Sequence, residues 1–251
     1  MRSYIDITYG KLNAPLQKLD IHLPDGDGPF PILVYFHGGG LKRGDKSIET
    51  CTCESLVKLG IGIVNANYRM YPDAKYPEFI EDSAEAVAWV YENIGKYCKC
   101  DGIYVGGSSA GGYISMMLCF DKQWLAKYGI SPTDITGFVH DAGQPTAHFN
   151  VLRANGLDPK RVVVDETAPL YHIGVDGKYP PMIFFVADKD LQNRYEQTLL
   201  TVSTLKHFGH TEPNVTCKVV PGTHTTYGTD EDGITVFAKL IAEFINAQKN
   251  K

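Results

Sequence analysis

Two adjacent serines lie among four glycines in residues 103–112, which read IYVGGSSAGG. The order glycine, any residue, serine, any residue, glycine places a nucleophilic serine on a sharp strand-to-helix turn, where larger flanking side chains would clash with neighbouring backbone. Only the frame Gly107-Ser108-Ser109-Ala110-Gly111 matches this order, because a frame centred on Ser108 would end on Ala110. Ser109 is therefore the predicted nucleophile of an acyl-transfer reaction.

The surroundings of Ser109 support this interpretation over two alternatives, a glycine-rich turn that serves packing only and a phosphate-binding loop. A phosphate-binding loop ends in Gly-Lys-Ser or Gly-Lys-Thr, which is not the sequence here. An apolar run precedes Ser109, and apolar residues at helical spacing follow it from Tyr113 to Leu118. The positive N-terminal end of that helix would face Ser109.

A second glycine run, His37-Gly38-Gly39-Gly40, follows another apolar segment. Acyl transfer passes through a tetrahedral oxyanion, which backbone N–H donors stabilise when they are aimed at it. Glycine lets the backbone approach the reacting group closely. We predict that the N–H groups of Gly38, Gly39 and Ala110 form this oxyanion hole, with His37 bracing the loop.

An activated serine also needs a histidine base and a carboxylate that orients it. Asp188 ends the apolar run 182–188, and we predict that it is this carboxylate; Asp190, two residues later, is its rival. Among eight histidines, His224 follows the last apolar run and completes the order Ser, Asp, His at predicted strand ends. The predicted catalytic set is therefore Ser109, Asp188 and His224.

Alternating strand and helix patterns would position these residues. Continuous apolar runs, typical of strands buried on both faces, occur at 31–37, 61–68, 103–107, 182–188 and 215–222, after a half-exposed strand at 17–23. Helical stripes occupy 78–94 and 233–247. This alternation predicts one α/β domain over residues 1–251, with a mostly parallel central sheet and helices on both faces.

Residues 142–180 interrupt this alternation and are rich in Gly, Pro, His and Asn. A connection of this length is usually functional, and we predict a small lid or pocket wall here. Gln144, His148 and Phe149 follow a strand end and are candidate substrate-binding residues, although a purely structural role in the loop is equally open.

Composition excludes several other functions. The chain has 24 basic and 29 acidic residues, for a net charge of −5, and no basic stripe, so nucleic acid and anionic membranes are poor partners.

No apolar run reaches the roughly 20 residues of a membrane helix, and no signal-like segment starts the chain, so we expect a cytoplasmic protein. The pairs Cys51/Cys53 and Cys98/Cys100 lack zinc-knuckle spacing and are expected to be reduced thiols. Oligomeric state is not indicated.

The sequence resembles the α/β-hydrolases, specifically compact esterases of the hormone-sensitive-lipase-like and feruloyl- and acetyl-esterase-like groups. The resemblance covers roughly residues 17–247 and is carried by HGGG at 37–40, NYRMYPDAKYP at 67–77, GGSSAGG at 106–112, Asp188, and GTH at 222–224. The sequence departs from the family at Leu41, where an aromatic residue is common, and it lacks the N-terminal cap helices of the lipase-like members. Arg69 and Asp82 resemble positions that brace this fold.

The resemblance implies an α/β-hydrolase fold with a small lid, and a serine carboxylesterase that acts through an acyl-enzyme without metal or cofactor. The expected partner is a small-molecule ester with a short acyl or aryl group, for example acetyl or hydroxycinnamoyl. An arylformamidase, or another amidase or peptidase, would use the same machinery on the same fold. A non-catalytic ligand-binding receptor on this fold is the alternative from a different class.

Overall fold

One eight-stranded sheet organises the chain. The computed structural model describes residues 1–12, 14–48, 50–174 and 177–249. The strand order is β1-β2-β4-β3-β5-β6-β7-β8. The strand β2 is antiparallel to both of its neighbours, β1 and β4. All other neighbouring pairs, from β4–β3 to β7–β8, are parallel. The strands are β1 (Arg2–Thr8), β2 (Lys18–Leu23), β3 (Phe30–Phe36), β4 (Gly62–Ala66), β5 (Cys100–Ser108), β6 (Gly137–Asp141), β7 (Met182–Lys189) and β8 (Val215–Thr223). The predicted mostly parallel sheet is confirmed.

Helices connect the parallel strands. The described residues form α1 (Thr50–Lys58), α2 (Glu78–Asn93), α3 (Ala110–Phe120), α4 (Gln123–Ala126), α5 (Phe149–Ala154), α6 (Arg194–His207) and α7 (Val236–Lys249), with short 3₁₀ helices at Ile94–Lys96, Pro132–Asp134 and Pro169–His172. The two helices predicted from apolar stripes correspond to α2 and α7. The start of α7 lies three residues later than its stripe.

The hydrophobic core lies on both faces of the sheet. In β3, Ile32, Val34 and Phe36 pack with residues of α2 and α3, whereas Leu33 and Tyr35 pack on the other face with residues of α1 and α7. All five side chains are buried. Successive strand residues point to opposite faces, so a strand covered on both faces must be apolar at every position. This explains the continuous apolar runs.

The carboxyl ends of the parallel strands meet at one edge of the sheet. The strands β3, β5, β7 and β8 end at Phe36, Ser108, Lys189 and Thr223, respectively. Residues that directly follow these ends lie side by side, and open parallel sheets bind ligands at this edge. The fold therefore brings the two glycine motifs, the acidic residues after β7 and His224 to one place.

The segment predicted as a lid or pocket wall packs against this edge. Within it, α5 and the 3₁₀ helix Pro169–His172 are the described helical elements. The backbone N–H of Ala142 donates to Phe185 O of β7 at 2.9 Å, and Ala147 N donates to Val163 O at 2.9 Å. Val175 and Asp176, part of the predicted insertion, lie outside the described residues. Lid function and the single-domain assignment stay predictions.

Arg69 and Asp82 form the predicted brace. Arg69 Nε and Nη2 donate to the two carboxylate oxygens of Asp82, each at 2.8 Å, and Gln17 Nε2 donates to Oδ1 at 2.9 Å. This bidentate pair joins the segment after β4 to α2.

Two further expectations from the sequence concern the state of the cysteines and the presence of a membrane-spanning helix. All six cysteines are free thiols, and the pair Cys51/Cys53 lies in α1. No helix in the described part of the chain combines the length and apolarity needed to cross a bilayer. The cytoplasmic location stays a prediction.

Candidate active site

Ser109 lies on the sharp turn between β5 and α3. Its φ of 53° is in the left-handed region, which is strained for a residue other than glycine. The turn is held on both sides, because Ser109 N donates to Asp141 O at 2.8 Å and Tyr113 N donates to Ser109 O at 2.9 Å. These contacts hold Ser109 in the strained conformation at the end of the strand.

The glycines of the motif allow this turn to pack against β3. A Cβ atom on Gly111 would lie 1.8 Å from the carbonyl oxygen of Phe36, and one on Gly107 would lie 2.6 Å from that oxygen and from Gly111. Any side chain at either position would push β5 and α3 away from β3. Sterics therefore require the Gly-x-Ser-x-Gly pattern here.

His224 contacts the hydroxyl of Ser109. It follows β8 in a tight turn, closed by hydrogen bonds from Thr226 N to Thr223 O at 2.8 Å and from Thr223 N to Thr226 O at 3.1 Å. His224 Nε2 lies 2.9 Å from Ser109 Oγ. The side chain of His224 is 21% exposed, so the pair is accessible from the cavity described below. This is the arrangement of a base next to its nucleophile.

The carboxylate partner of His224 is Asp190, and the prediction of Asp188 is wrong. Asp190 Oδ1 lies 2.6 Å from His224 Nδ1, whereas Asp188 is exposed and its Oδ1 accepts from Gly222 N at 2.9 Å. The apolar run predicts that β7 ends at Asp188, one residue too early. The strand β7 continues to Lys189, which pairs with Thr223, and this register places the next residue of each chain segment, Asp190 and His224, level with each other.

Asp190 is built to remain ionised. Its side chain is fully buried, Oδ1 also accepts from Leu191 N at 2.7 Å, and Oδ2 accepts from Ala187 N at 3.2 Å. Burial raises its pKa, but the hydrogen bond and charge of His224 and these two backbone donors outweigh burial and hold the pKa below its ordinary value. An ionised carboxylate here can orient the imidazole and stabilise its protonated form.

The predicted oxyanion-hole residues surround Ser109. A Cβ atom on Gly38 would lie 3.3 Å from Ser109 Cβ. Gly39 has a φ of 116°, and a Cβ atom there would lie 1.8 Å from Arg43 O. Ala110 is the first residue of α3, where a backbone N–H has no intrahelical acceptor. Within the described ranges, no acceptor is recorded for the N–H groups of Gly38, Gly39 and Ala110. These groups are therefore available to an oxyanion.

His37 braces the loop Gly38–Gly40, called the oxyanion loop below because it carries two of the predicted oxyanion-hole residues. Its Nδ1 lies 2.7 Å from Gly38 O, its ring stacks on Tyr68 with centroids 4.6 Å apart, and Tyr68 OH donates to His37 O at 2.8 Å. Burial lowers the pKa of His37, which favours the neutral ring.

A cavity of about 670 Å³ opens above Ser109 and His224. The oxyanion loop Gly38–Gly40 forms one wall, and Phe149, a candidate substrate-binding residue, forms part of another. Gln144, a second candidate, lines a neighbouring cavity of about 530 Å³ that also borders Phe149. Substrate contact by these two residues stays a prediction.

The third candidate, His148, is not part of the wall around Ser109. It is buried, its Nδ1 accepts from Asn150 N at 3.2 Å, and its ring stacks on Phe149 at 4.3 Å between centroids. Burial lowers its pKa to about 3. His148 therefore caps α5 and supports Phe149, and its prediction as a substrate contact is corrected to this structural role.

Sequence reasoning missed several polar residues of the cavity wall, among them Asn150 and Arg194. Asn150 donates its amide N–H to Gly40 O and so ties α5 to the oxyanion loop. Arg194, the first residue of α6, is only 6% exposed, and its Nη1 donates to Ala142 O at 3.0 Å. Neither residue belongs to a motif or an apolar stripe, so no local signal marks them.

A buried polar network supports the turn from below. The hydroxyl of Ser108 lies between Tyr35 OH and the carboxylate of Asp141, which also accepts from Tyr227 OH. Burial and the charge of Asp141 raise the pKa of Tyr227. Because these residues come from β3, β5, β6 and the segment after β8, the network fixes the turn of Ser109 relative to the His224 segment.

Metal-ligand chemistry has no candidate in the described part of the chain, where no group of three or more His, Cys, Asp or Glu side chains could hold an ion. The expectation that no cofactor is needed stays a prediction.

Several known proteins are similar to this chain in sequence or in fold. The family model BD-FAE matches residues 19–127. A versiconal hemiacetal acetate esterase of Dothistroma septosporum is 32% identical over 209 residues, 81% of this chain and 61% of that protein. A kynurenine formamidase of Danio rerio is 28% identical over 132 residues, 52% of this chain and 43% of that protein.

A solved structure, the truncated form of a carbohydrate esterase from gut microbiota, superposes over 100% of this chain and 97% of its own, with a TM-score of 0.78 and 18% identity. This superposition establishes the shared fold. The chain spans between 23% and 61% of the length of the curated relatives it matches.

Proposed function

Because the chain belongs to the α/β-hydrolases, we propose that it hydrolyses carboxylic esters with Ser109, His224 and Asp190 as its catalytic triad. The observation that carries the proposal is the continuous hydrogen-bonded chain from Ser109 Oγ through both imidazole nitrogens of His224 to Asp190 Oδ1, at 2.9 and 2.6 Å. The versiconal hemiacetal acetate esterase among its relatives supports an ester as the substrate.

The geometry supports a two-step reaction. His224 Nε2 accepts the proton of Ser109 Oγ as the oxygen attacks the ester carbonyl, and Asp190 stabilises the resulting imidazolium. The oxyanion accepts hydrogen bonds from the N–H groups of Gly38, Gly39 and Ala110. The alcohol leaves with the proton from His224, and water then attacks the acyl-enzyme by the same steps to release the acid and free Ser109.

The proposed substrates have a short acyl or an aryl group, with acetyl and hydroxycinnamoyl esters as the first candidates. The cavity of about 670 Å³ includes the apolar side chains of Ile48, Phe149 and Leu191. A volume in this range suits a small ligand, and apolar walls provide most of the contact area in such sites.

Initial rates on p-nitrophenyl acetate, butyrate and octanoate and on a methyl hydroxycinnamate test the proposal. We expect a maximum rate at acetate or butyrate or on the hydroxycinnamate. Stoichiometric labelling by a fluorophosphonate should be lost in Ser109→Ala, and so should turnover. A wild-type protein that neither turns over any of these esters nor reacts with the fluorophosphonate would instead be a receptor on the hydrolase fold.

A formamidase is the second candidate, because a kynurenine formamidase is among the relatives. The same triad can attack a formamide, and the cavity then decides which carbonyl compound is bound. Rates on phenyl formate and formanilide, matched in size, separate the two activities after correction for their uncatalysed rates. A larger rate enhancement on formanilide would favour the formamidase.

A further inference from the structure

Positive charge surrounds the cavity above Ser109. Two further cavities adjoin it: one of about 220 Å³ shares Lys42 and Asn150 with it, and the cavity of about 530 Å³ shares Phe149, Leu191 and Arg194. No Asp or Glu is among the described residues that line the three cavities, although the chain has more acidic than basic residues. The lining includes six basic side chains: Lys42, Arg43, Arg153, Lys160, Arg161 and Arg194.

These six side chains lack acidic partners. None of them forms an ion pair with a carboxylate in the described ranges. Elsewhere in the fold, the buried Lys46 and the partly buried Arg69 do have such partners: Lys46 Nζ lies 2.7 Å from Asp20 Oδ2, and Arg69 is paired with Asp82. Of the six cations around the cavity, five are exposed and Arg194 is buried. Arg194 is therefore a buried cation without an acidic ion-pair partner in the described ranges, in contrast to Lys46.

Arg194 is the clearest case. Its guanidinium is buried, and its recorded partners are neutral: Ala142 O at 3.0 Å and Gln144 Oε1 at 3.5 Å. Burial lowers its pKa to about 10, so it remains charged at neutral pH, and the nearby charge of Asp190 raises the pKa in the opposite direction. Asp190 is itself hydrogen-bonded to His224. A buried guanidinium without a carboxylate partner of its own costs free energy unless an anion binds beside it.

We propose that the substrate ester carries an anionic group, a carboxylate or a phosphate, that binds among these six basic side chains. This inference rests on the proposed esterase function and specifies its substrate class. A guanidinium binds either anion through two parallel hydrogen bonds, and the surrounding basic side chains attract an anionic ester to the cavity. Phe149, with the guanidinium of Arg153 5.9 Å from its ring centre, supplies an apolar surface beside the charges.

Three acetate esters that differ in one group test the inference: 4-carboxyphenyl, 4-phosphonooxyphenyl and the neutral 4-carbamoylphenyl acetate. Each kcat/KM is divided by the hydroxide-catalysed rate constant to remove differences in leaving-group reactivity. We expect an anionic ester to exceed the neutral one at least about tenfold at low ionic strength, with the ratio falling at high salt. The anionic ester with the higher ratio identifies the preferred group.

Two matched double variants locate the effect. Lys160→Gln/Arg161→Gln removes two exposed cations of the cavity wall, and Lys58→Gln/Lys206→Gln removes two exposed cations at the ends of α1 and α6. Those helix ends precede β4 and β8 and therefore lie at the opposite edge of the sheet. We expect the anionic-to-neutral ratio to fall at least about threefold in the first variant only. An equal fall in both would overturn the inference.

Failure of the inference and failure of the esterase function give different results. Calorimetric titration of Ser109→Ala with the uncleaved esters measures charge preference without catalysis. Tighter binding of an anionic ester with no turnover by the wild type would overturn the esterase function but support the anion site. Turnover of all three esters with equal reactivity-corrected kcat/KM and equal affinity would overturn the anion site alone.

Discussion

Asp190 Oδ1 lies 2.6 Å from Nδ1 of His224, although the carboxylate two residues earlier ends the apolar run of β7. The pairing of Lys189 with Thr223 determines this partnership, because it sets the residues after both strands side by side. Asp188 lies two residues before Asp190 and accepts from the backbone of Gly222 instead. The identity of the acid in the proposed triad thus follows from the register of two parallel strands.

The two carboxylates should differ sharply on substitution. Asp190→Asn should lower kcat on p-nitrophenyl acetate by roughly 10³–10⁴-fold, because the amide favours the wrong tautomer of His224 and cannot stabilise the imidazolium. Asp188→Asn is the matched control and should stay within a few-fold of wild type, because an amide oxygen can still accept from Gly222 N. Comparable losses in both variants would contradict the assignment of Asp190.

Ser108→Ala should destabilise the protein. The substitution removes the buried hydrogen bonds that the Ser108 hydroxyl makes with Tyr35 OH and the carboxylate of Asp141, which should lower the free energy of unfolding by about 1–3 kcal/mol. Urea unfolding measures this value. The control is Ser83→Ala, since Ser83 is equally buried but its hydroxyl donates to Phe79 O within α2, so its loss should be smaller. A smaller effect at Ser108 than at Ser83 would argue against a structural role for the network.

Acid should weaken the contribution of Asp190 to stability. Because the pKa of Asp190 is lower in the folded state than its ordinary value of 3.8, the unfolded chain binds more protons between the two values. The stability that Asp190 contributes is therefore fully present above about pH 4 and declines as the pH falls through the folded-state pKa. Urea unfolding at several pH values below 5 should show the wild type losing stability relative to Asp190→Asn. A difference independent of pH would contradict this.

Gly111→Ala should disrupt the turn of Ser109. Its methyl group would lie 1.8 Å from Phe36 O, a backbone atom that cannot move without shifting β3, so unfolding free energy should fall by at least about 1–3 kcal/mol and turnover with it. Gly95→Ala is the control, because a Cβ there meets no atom within 4 Å and its φ is ordinary. Thermal unfolding and ester turnover of the two variants provide the comparison, and equal behaviour would refute the steric argument.

The sequence by itself determined the local features of this protein. Apolar runs that alternate with amphipathic stripes specified a mostly parallel sheet covered on both faces. The spacing of glycines selected Ser109 over Ser108 as the predicted nucleophile, because only one frame satisfies the steric demands of the turn. His224 was also identified, since it follows the end of a strand. These features depend on a few consecutive residues, so a linear sequence displays them.

Only the tertiary structure decided which side chains meet across strands. The register of β7 and β8 chose Asp190 over Asp188, and the packing of α5 turned Phe149 to the cavity while His148 caps the helix behind it. The basic side chains around the cavity come from three separate segments, so no run of sequence marks them as a group. Contacts between distant segments depend on strand register and helix packing, which one sequence does not encode in any short pattern.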